Sequence, residues 1–264
     1  MLRDLYLKTL RDQRHALAGW SIGVSLLVLV ECALWPSVRD MPHWNELVSS
    51  YPEAMKDLFD VDAMTTGRGF LDAELFTLLL PALFIVFGIG RGARLVAGEE
   101  EDGTLEILLV TPLSTTRLLL EKAAALATSL LALGGVLAAT TQVCSWVFGL
   151  GLRPVESLLG ALAVTLLGLE FGVLALAVGA ATGRRTVALG VATVAATAAY
   201  VLYAAAAIVD SLSGWRPWSP FDQVLSEGPL STSFPASATW VVLVTLAVVA
   251  VAAAWFGRRD IAVA

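Results

Sequence analysis

Apolar residues fall into six long stretches, at 16–35, 75–97, 118–149, 157–182, 186–209 and 239–257. Each is long enough, or nearly so, to cross the roughly 30 Å hydrocarbon core of a bilayer as a helix. The third exceeds what a bilayer needs, which predicts a tilt, a bend or a projection beyond the lipid. The pattern predicts an all-α integral membrane protein: one transmembrane domain over 1–264 with six spans, separated by polar segments at 36–72, 98–117 and 210–238.

Ahead of the first span, Leu2, Leu5, Tyr6 and Leu10 recur at helical spacing, with Arg3, Asp4, Lys8, Arg11 and Asp12 on the other side. Residues 1–15 therefore read as an amphipathic helix lying along the membrane surface, or as a charged extension of the first span. The basic start followed by an apolar run resembles a signal peptide, but 16–35 is long enough to span and no small-x-small cleavage site follows, so a retained span is expected. In the segment 36–72, acids outnumber bases, and Pro52–Phe59 has the pattern of a short helix with proline in its first turn. The segment 210–238 mixes aromatics with prolines. Trp215, Trp218 and Phe221 suit anchorage at headgroup level; a substrate exit gate is the alternative.

Composition sharpens this picture. Of 264 residues, 57% are hydrophobic and only 15% charged, with mean hydropathy +0.77, whereas soluble domains carry about 25% charged residues. Lipid must be the solvent for much of the chain. The net charge of −6 matters less than where charges fall. Arg3, Lys8, Arg11, Arg14, Arg91, Arg94, Arg117, Lys122, Arg184, Arg185, Arg258 and Arg259 lie on one side of the predicted topology; Arg39, Lys56, Arg68, Arg153 and Arg216 lie on the other. The richer side is expected to be cytoplasmic, with both termini inside, 98–117 a cytoplasmic loop, and 36–72 and 210–238 extracytoplasmic. No basic stripe suggests a nucleic-acid partner. The excess of arginine over lysine, with abundant alanine, points to a GC-rich prokaryotic genome and hence an inner or plasma membrane.

Little conventional site chemistry is visible. Cys32 and Cys144 both sit in apolar runs, and His15 and His43 stand apart, so neither a disulfide framework nor a metal site is expected. There is no GxxxxGK[ST] and no nucleophile–base constellation, so the chain is not expected to be an enzyme. Glu31, Glu74 and Glu170 lie in or beside spans. Glu31 and Glu74 are near outer ends, but Glu170 is near the middle of span four, where an ionised acid costs about 2.5–3.5 kcal/mol. Glu170, with Glu31, is a candidate for a translocation path or cation site; the alternative for Glu170 is a neutral, hydrogen-bonded packing residue. On the other side of span four, Gly168, Gly172, Ala175, Gly179 and Gly183 form a stripe of small residues suited to close helix packing.

The most informative segment runs from Arg94 to Lys122. Four acids, Glu99, Glu100, Glu101 and Asp102, end the apolar span. Gly103 supplies a turn, Thr104 can cap a short helix over Leu105–Val110 marked by Glu106, Thr111-Pro112 stops it, and Ser114 can cap span three. The design is a short helix held crosswise between two long ones, so a force on it would tilt both. An interfacial turn that merely joins two spans is the plainer reading.

The order Arg94, Gly98, Glu99, Glu100, Gly103, Thr104, Leu105, Glu106, Leu108, Leu109, Pro112, Leu113, Ser114 and Lys122 resembles the signature of ABC-2 type transporter permeases. The six spans, the amphipathic start and Ser219-Pro220-Phe221 in the second outer segment extend the likeness over essentially the whole chain. Thr115-Thr116 depart from it, standing where many such proteins carry arginines. The resemblance implies that this loop is a coupling helix contacting a separate ABC ATPase subunit, through Glu99, Glu100, Glu101, Gly103, Thr104, Leu105, Glu106, Leu108, Leu109 and Pro112. It also implies a complex of two permeases, as a homodimer or heterodimer, and two ATPases. ATP and Mg would be bound by the partner subunit and no cofactor by this chain, with export of an antibiotic-like hydrophobic or amphipathic compound as the expected function. The competing classes are an ATP-independent carrier or channel using Glu170 and Glu31, and a membrane scaffold that recruits a soluble partner.

Overall fold

The computed structural model describes residues 5–40, 66–104 and 114–258. Among them, six helices are long and apolar enough to cross a membrane: α1 (Leu5–Arg39), α2 (Gly67–Glu101), α3 (Thr115–Phe148), α4 (Pro154–Thr182), α5 (Arg185–Ile208) and α6 (Ala238–Phe256). Each of the six apolar stretches maps onto one of them, three overrunning its helix by a single residue. The expected helix at Pro52–Phe59 lies outside the described residues.

Residues 5–15 are not a separate element. They run without a break into the first span, and at about 1.5 Å per residue the resulting helix is about 52 Å long. The reason lies on α3. The hydroxyls of Tyr6 and Thr128 are 2.8 Å apart, Ser129 Oγ donates to Gln13 Oε1 at 3.1 Å, and the hydroxyls of Ser25 and Thr140 meet at 3.1 Å. Tyr6, from the apolar side of 1–15, and Gln13 thus meet α3, while Lys8, Arg11 and Asp12 stay exposed. Both helices run from the same end of the bundle, so α1 and α3 are a parallel pair joined by a hydrogen-bonded seam.

Helix ends follow local chemistry. Ser114 accepts from the Arg117 N–H as N-cap of α3. Glu156 reaches back to the Arg153 N–H at 2.7 Å, with Pro154 in the first turn of α4. Gly149 (φ 69°) and Gly183 (φ 67°) stop α3 and α4 in the left-handed region. Beyond α5, a 3-10 segment (Asp210–Trp218) and a short helix (Pro220–Leu225) fold over that end of the bundle.

Helix α4 is the hub, packed against α2, α3, α5 and α6. Its contact with α2 is backbone on backbone. A Cβ built at Gly88 would overlap the Gly168 carbonyl oxygen, and one at Gly92 would overlap that of Gly172. Gly179 is less tight, 3.3 Å from the Ala97 Cβ. Gly183 is the left-handed stop of α4. Outward, Ile22, Leu26, Val194, Val201 and Leu246 are exposed, which suits a surface solvated by lipid.

Candidate functional site

Helix α2 widens into π-turns twice, at Asp72–Phe76 and Arg94–Gly98. Such turns give up a regular hydrogen bond and are frequent at functional sites. The second lies just before the acidic run, at the end of the bundle that the charge count assigns to the cytoplasm, here the inner end. Glu99–Glu101 complete the last helical turn, and Gly103 turns the chain with φ 66°. Thr104 closes the helix behind it: its N–H and its hydroxyl both donate to the Glu99 carbonyl, at 2.9 and 3.2 Å. Leu105, Glu106, Leu108, Leu109 and Pro112, the body of the expected coupling helix, lie outside the described residues.

Lys122, on the second turn of α3, is completely buried. Its Nζ lies 2.6 Å from Glu99 Oε2 and donates to the Leu95 carbonyl inside the π-turn at 2.5 Å. A buried ammonium needs both an opposite charge and filled donor positions, and α2 supplies the two together. The acidic end of α2 and the start of α3 are therefore clamped on either side of the loop.

Two neighbouring acids extend the clamp. Glu101 Oε1 accepts from the Arg185 N–H at 2.8 Å, serving one of the orphan donors at the α5 N-terminus. Glu121 accepts from Arg117 Nε at 2.7 Å and from the Tyr6 N–H at 3.3 Å. Four helices, α1, α2, α3 and α5, meet in this set of contacts. Reading the sequence counted Lys122 and Arg185 among the orienting charges without giving either a partner, and missed Glu121. A lysine inside an apolar run is itself the signal that an acid must be near.

The other candidates are scattered. Glu170 lies on the α4 face shared by Leu166, Leu174 and Ala177, with Oε2 buried and without a hydrogen-bond partner among the described residues. Glu31, near the outer end of α1, is in electrostatic range of Glu74 and shares no hydrogen bond or ion pair with Glu170 among the described residues. Neither lines the apolar cavity of about 390 Å³ between α2 and α5, whose walls include Ile85, Val86, Ile89, Thr197, Tyr200 and Phe221. Tyr200 and Phe221 meet edge to face there, centroids 5.3 Å apart. At the outer end, buried Asp72 accepts from the Leu230 N–H at 2.9 Å and faces Arg68 at 3.7 Å. No group of three or more His, Cys, Asp or Glu suited to a metal occurs among the described residues.

No curated protein matches the chain. The family model described as ABC-2 family transporter protein matches residues 5–261, a match that takes in all six spans and the whole inner clamp. The chain belongs to the ABC-2 family of transporter proteins.

Proposed function

We propose that this permease is driven by ATP hydrolysed on a separate subunit, and that it exports a hydrophobic or amphipathic compound from a prokaryotic cell. The Glu99–Lys122 clamp carries this reading. A motor pressing on the 98–117 loop would move α2 and α3 together, because the ion pair and the Leu95 contact leave no slack between them. Through Glu101 the same displacement would reach α5. The cavity between α2 and α5 is apolar enough for the proposed cargo. The absence of a phosphate-binding loop in the sequence is consistent with a motor on another chain. Two permeases, identical or not, with two ATPases would complete the transporter, both termini of each permease lying in the cytoplasm.

Reconstitution with the ATPase encoded nearest this gene tests the reading. Glu100→Gln and Gly103→Pro are expected to abolish ATP-driven export while the chain still inserts and the ATPase still turns over. Export at the unaltered rate in both variants would refute the coupling role. The unpartnered Oε2 of Glu170 favours one rival, a gradient-driven carrier. That rival predicts flux under a proton or sodium gradient in vesicles holding this chain alone, lost in Glu170→Gln.

A further inference from the structure

The cavity of about 390 Å³ between α2 and α5 has two unlike walls. The α2 wall, from Leu78 to Gly90, is aliphatic throughout. The α5 wall carries Thr193, Thr197 and Tyr200, which share one helical face at i, i+4 and i+7. At about 1.5 Å per residue, Thr193 stands about 12 Å from the inner end of α5 and Tyr200 about 12 Å from its outer end. All three hydroxyls therefore lie at hydrocarbon depth, and none has a hydrogen bond among the described residues. Elsewhere in the bundle Thr165 and Thr128 turn their hydroxyls onto the Ala161 and Ala124 carbonyls, at 2.7 and 2.9 Å. An unmatched hydroxyl in apolar surroundings costs free energy, so three of them along one wall mark where the polar edge of a guest would lie.

The outer end of the cavity is aromatic and held from several sides. Tyr200 and Phe221 meet there edge to face. Phe171 and Tyr203 back Phe221 at centroid distances of 6.3 and 6.2 Å. Ser219 Oγ ties the short helix that carries Phe221 to the Ala199 carbonyl of α5 at 2.8 Å. Among the described residues no carboxylate, ammonium or guanidinium lines the cavity. Arg216 is engaged outside it, over the Tyr203 ring and paired with Asp222.

We propose that this cavity is a cargo subsite for a neutral, flat aromatic compound with a hydroxyl or carbonyl on one edge. That edge meets Thr193, Thr197 and the Tyr200 hydroxyl, and the rings pack against Tyr200, Phe221 and the aliphatic α2 wall. A lipid acyl chain would fill the same space but leave the hydroxyls unmatched. A cation would enter with no opposite charge to meet it. Calling the guest cargo rests on the exporter reading above, whereas its binding does not.

The test is equilibrium dialysis of the purified full chain in neutral detergent against empty micelles, at slightly acidic pH. The probes share one ring system: pyrene, 1-hydroxypyrene and the cation of 1-aminomethylpyrene. 1-Hydroxypyrene is expected to bind about fivefold more tightly than pyrene, and the cation to show no saturable binding. Thr193→Val/Thr197→Val should erase the advantage of the hydroxyl while leaving the affinity for pyrene unchanged, and Tyr200→Leu should weaken both. Equal affinity for pyrene and 1-hydroxypyrene in the unaltered chain would overturn the proposal, as would saturable binding of the cation at similar strength. Full advantage of the hydroxyl in the double valine variant would place the probe elsewhere and overturn it too. Binding that vanishes as the chain self-associates would overturn it in favour of a second copy covering this face of α5. Neither ATP nor an ATPase is present, so failure here leaves the motor reading intact, and failure of ATP-driven export leaves this site intact.

Discussion

Lys122 Nζ sits 2.6 Å from Glu99 Oε2 although they are 23 positions apart in the chain, and the lysine side chain has no exposed surface. Removing one partner of a buried pair leaves the other charge uncompensated, at a cost of about 3–5 kcal/mol. Glu99→Gln is therefore expected to lower the unfolding temperature in detergent sharply. The double variant Glu99→Gln/Lys122→Met should recover much of the loss, since neither charge remains. A double variant no better than Glu99→Gln alone would show that the pair is not the source of the stability.

The α2–α4 seam predicts a sharp asymmetry among glycines. Gly88→Ala places a methyl on the Gly168 carbonyl, and backbone cannot give way as a side chain can. A loss of about 1–3 kcal/mol or more is expected, read as reduced yield of monodisperse protein and a lower melting temperature. Gly190→Ala and Gly135→Ala meet open space and should be neutral.

The parallel register of α1 and α3 brings Cys32 and Cys144 into one buried cluster, with the two thiols interacting directly. Copper phenanthroline should therefore join them, each thiol giving up one proton and one electron, the electrons going to the oxidant. The chain would lose two hydrogens in mass and two alkylatable thiols. Cys144→Ser should abolish both changes. Full alkylation after oxidation and denaturation would argue against the observed α1–α3 register.

Asp72 links the start of α2 to the second outer segment through the Leu230 N–H. Asp72→Ala strands that buried donor, a penalty of about 1–3 kcal/mol. Because the contact is local, faster proteolytic cleavage between Ser226 and Ser237 is expected, with little change in the melting of the bundle. Unchanged cleavage would mean that the outer segment is held by other contacts.

Much of this architecture was legible in the residue pattern. Six apolar runs longer than any soluble core needs leave few alternatives, and Ser114 and Gly103 sit where their side chain or backbone freedom is used. The stripe on α4 announced a close approach, and its counterpart was visible too, for Gly88 and Gly92 repeat at the same spacing as Gly168 and Gly172. At Gly183 the structure adds a helix stop that the stripe alone did not signal, since a glycine in a stripe and a glycine at a helix end look alike until the end of the helix is known. The N-terminal segment left two readings open, and the unbroken Leu5–Arg39 helix takes the one that extends the first span. The partners of Tyr6 and Gln13 are more than 110 residues away, and amphipathicity alone does not say whether lipid or another helix will meet the less polar face. Nor could spacing reveal that Glu99 faces Lys122 and Glu101 faces Arg185, since those pairings depend on how the helices are rotated.

The order in which Glu99 and Lys122 emerge from the ribosome has its own consequence for biogenesis. The acid is made first, at the end of one span, and the lysine follows near the start of the next. When α3 enters the bilayer its ammonium can meet a waiting carboxylate within the same hairpin. A bare lysine costs about 2.5–3.5 kcal/mol on insertion at a helix centre and less near an end; partitioned as a neutral couple, the hairpin avoids most of that cost. Insertion of α2 and α3 should then be a concerted event, and a truncation that separates them should strand the third helix outside the lipid.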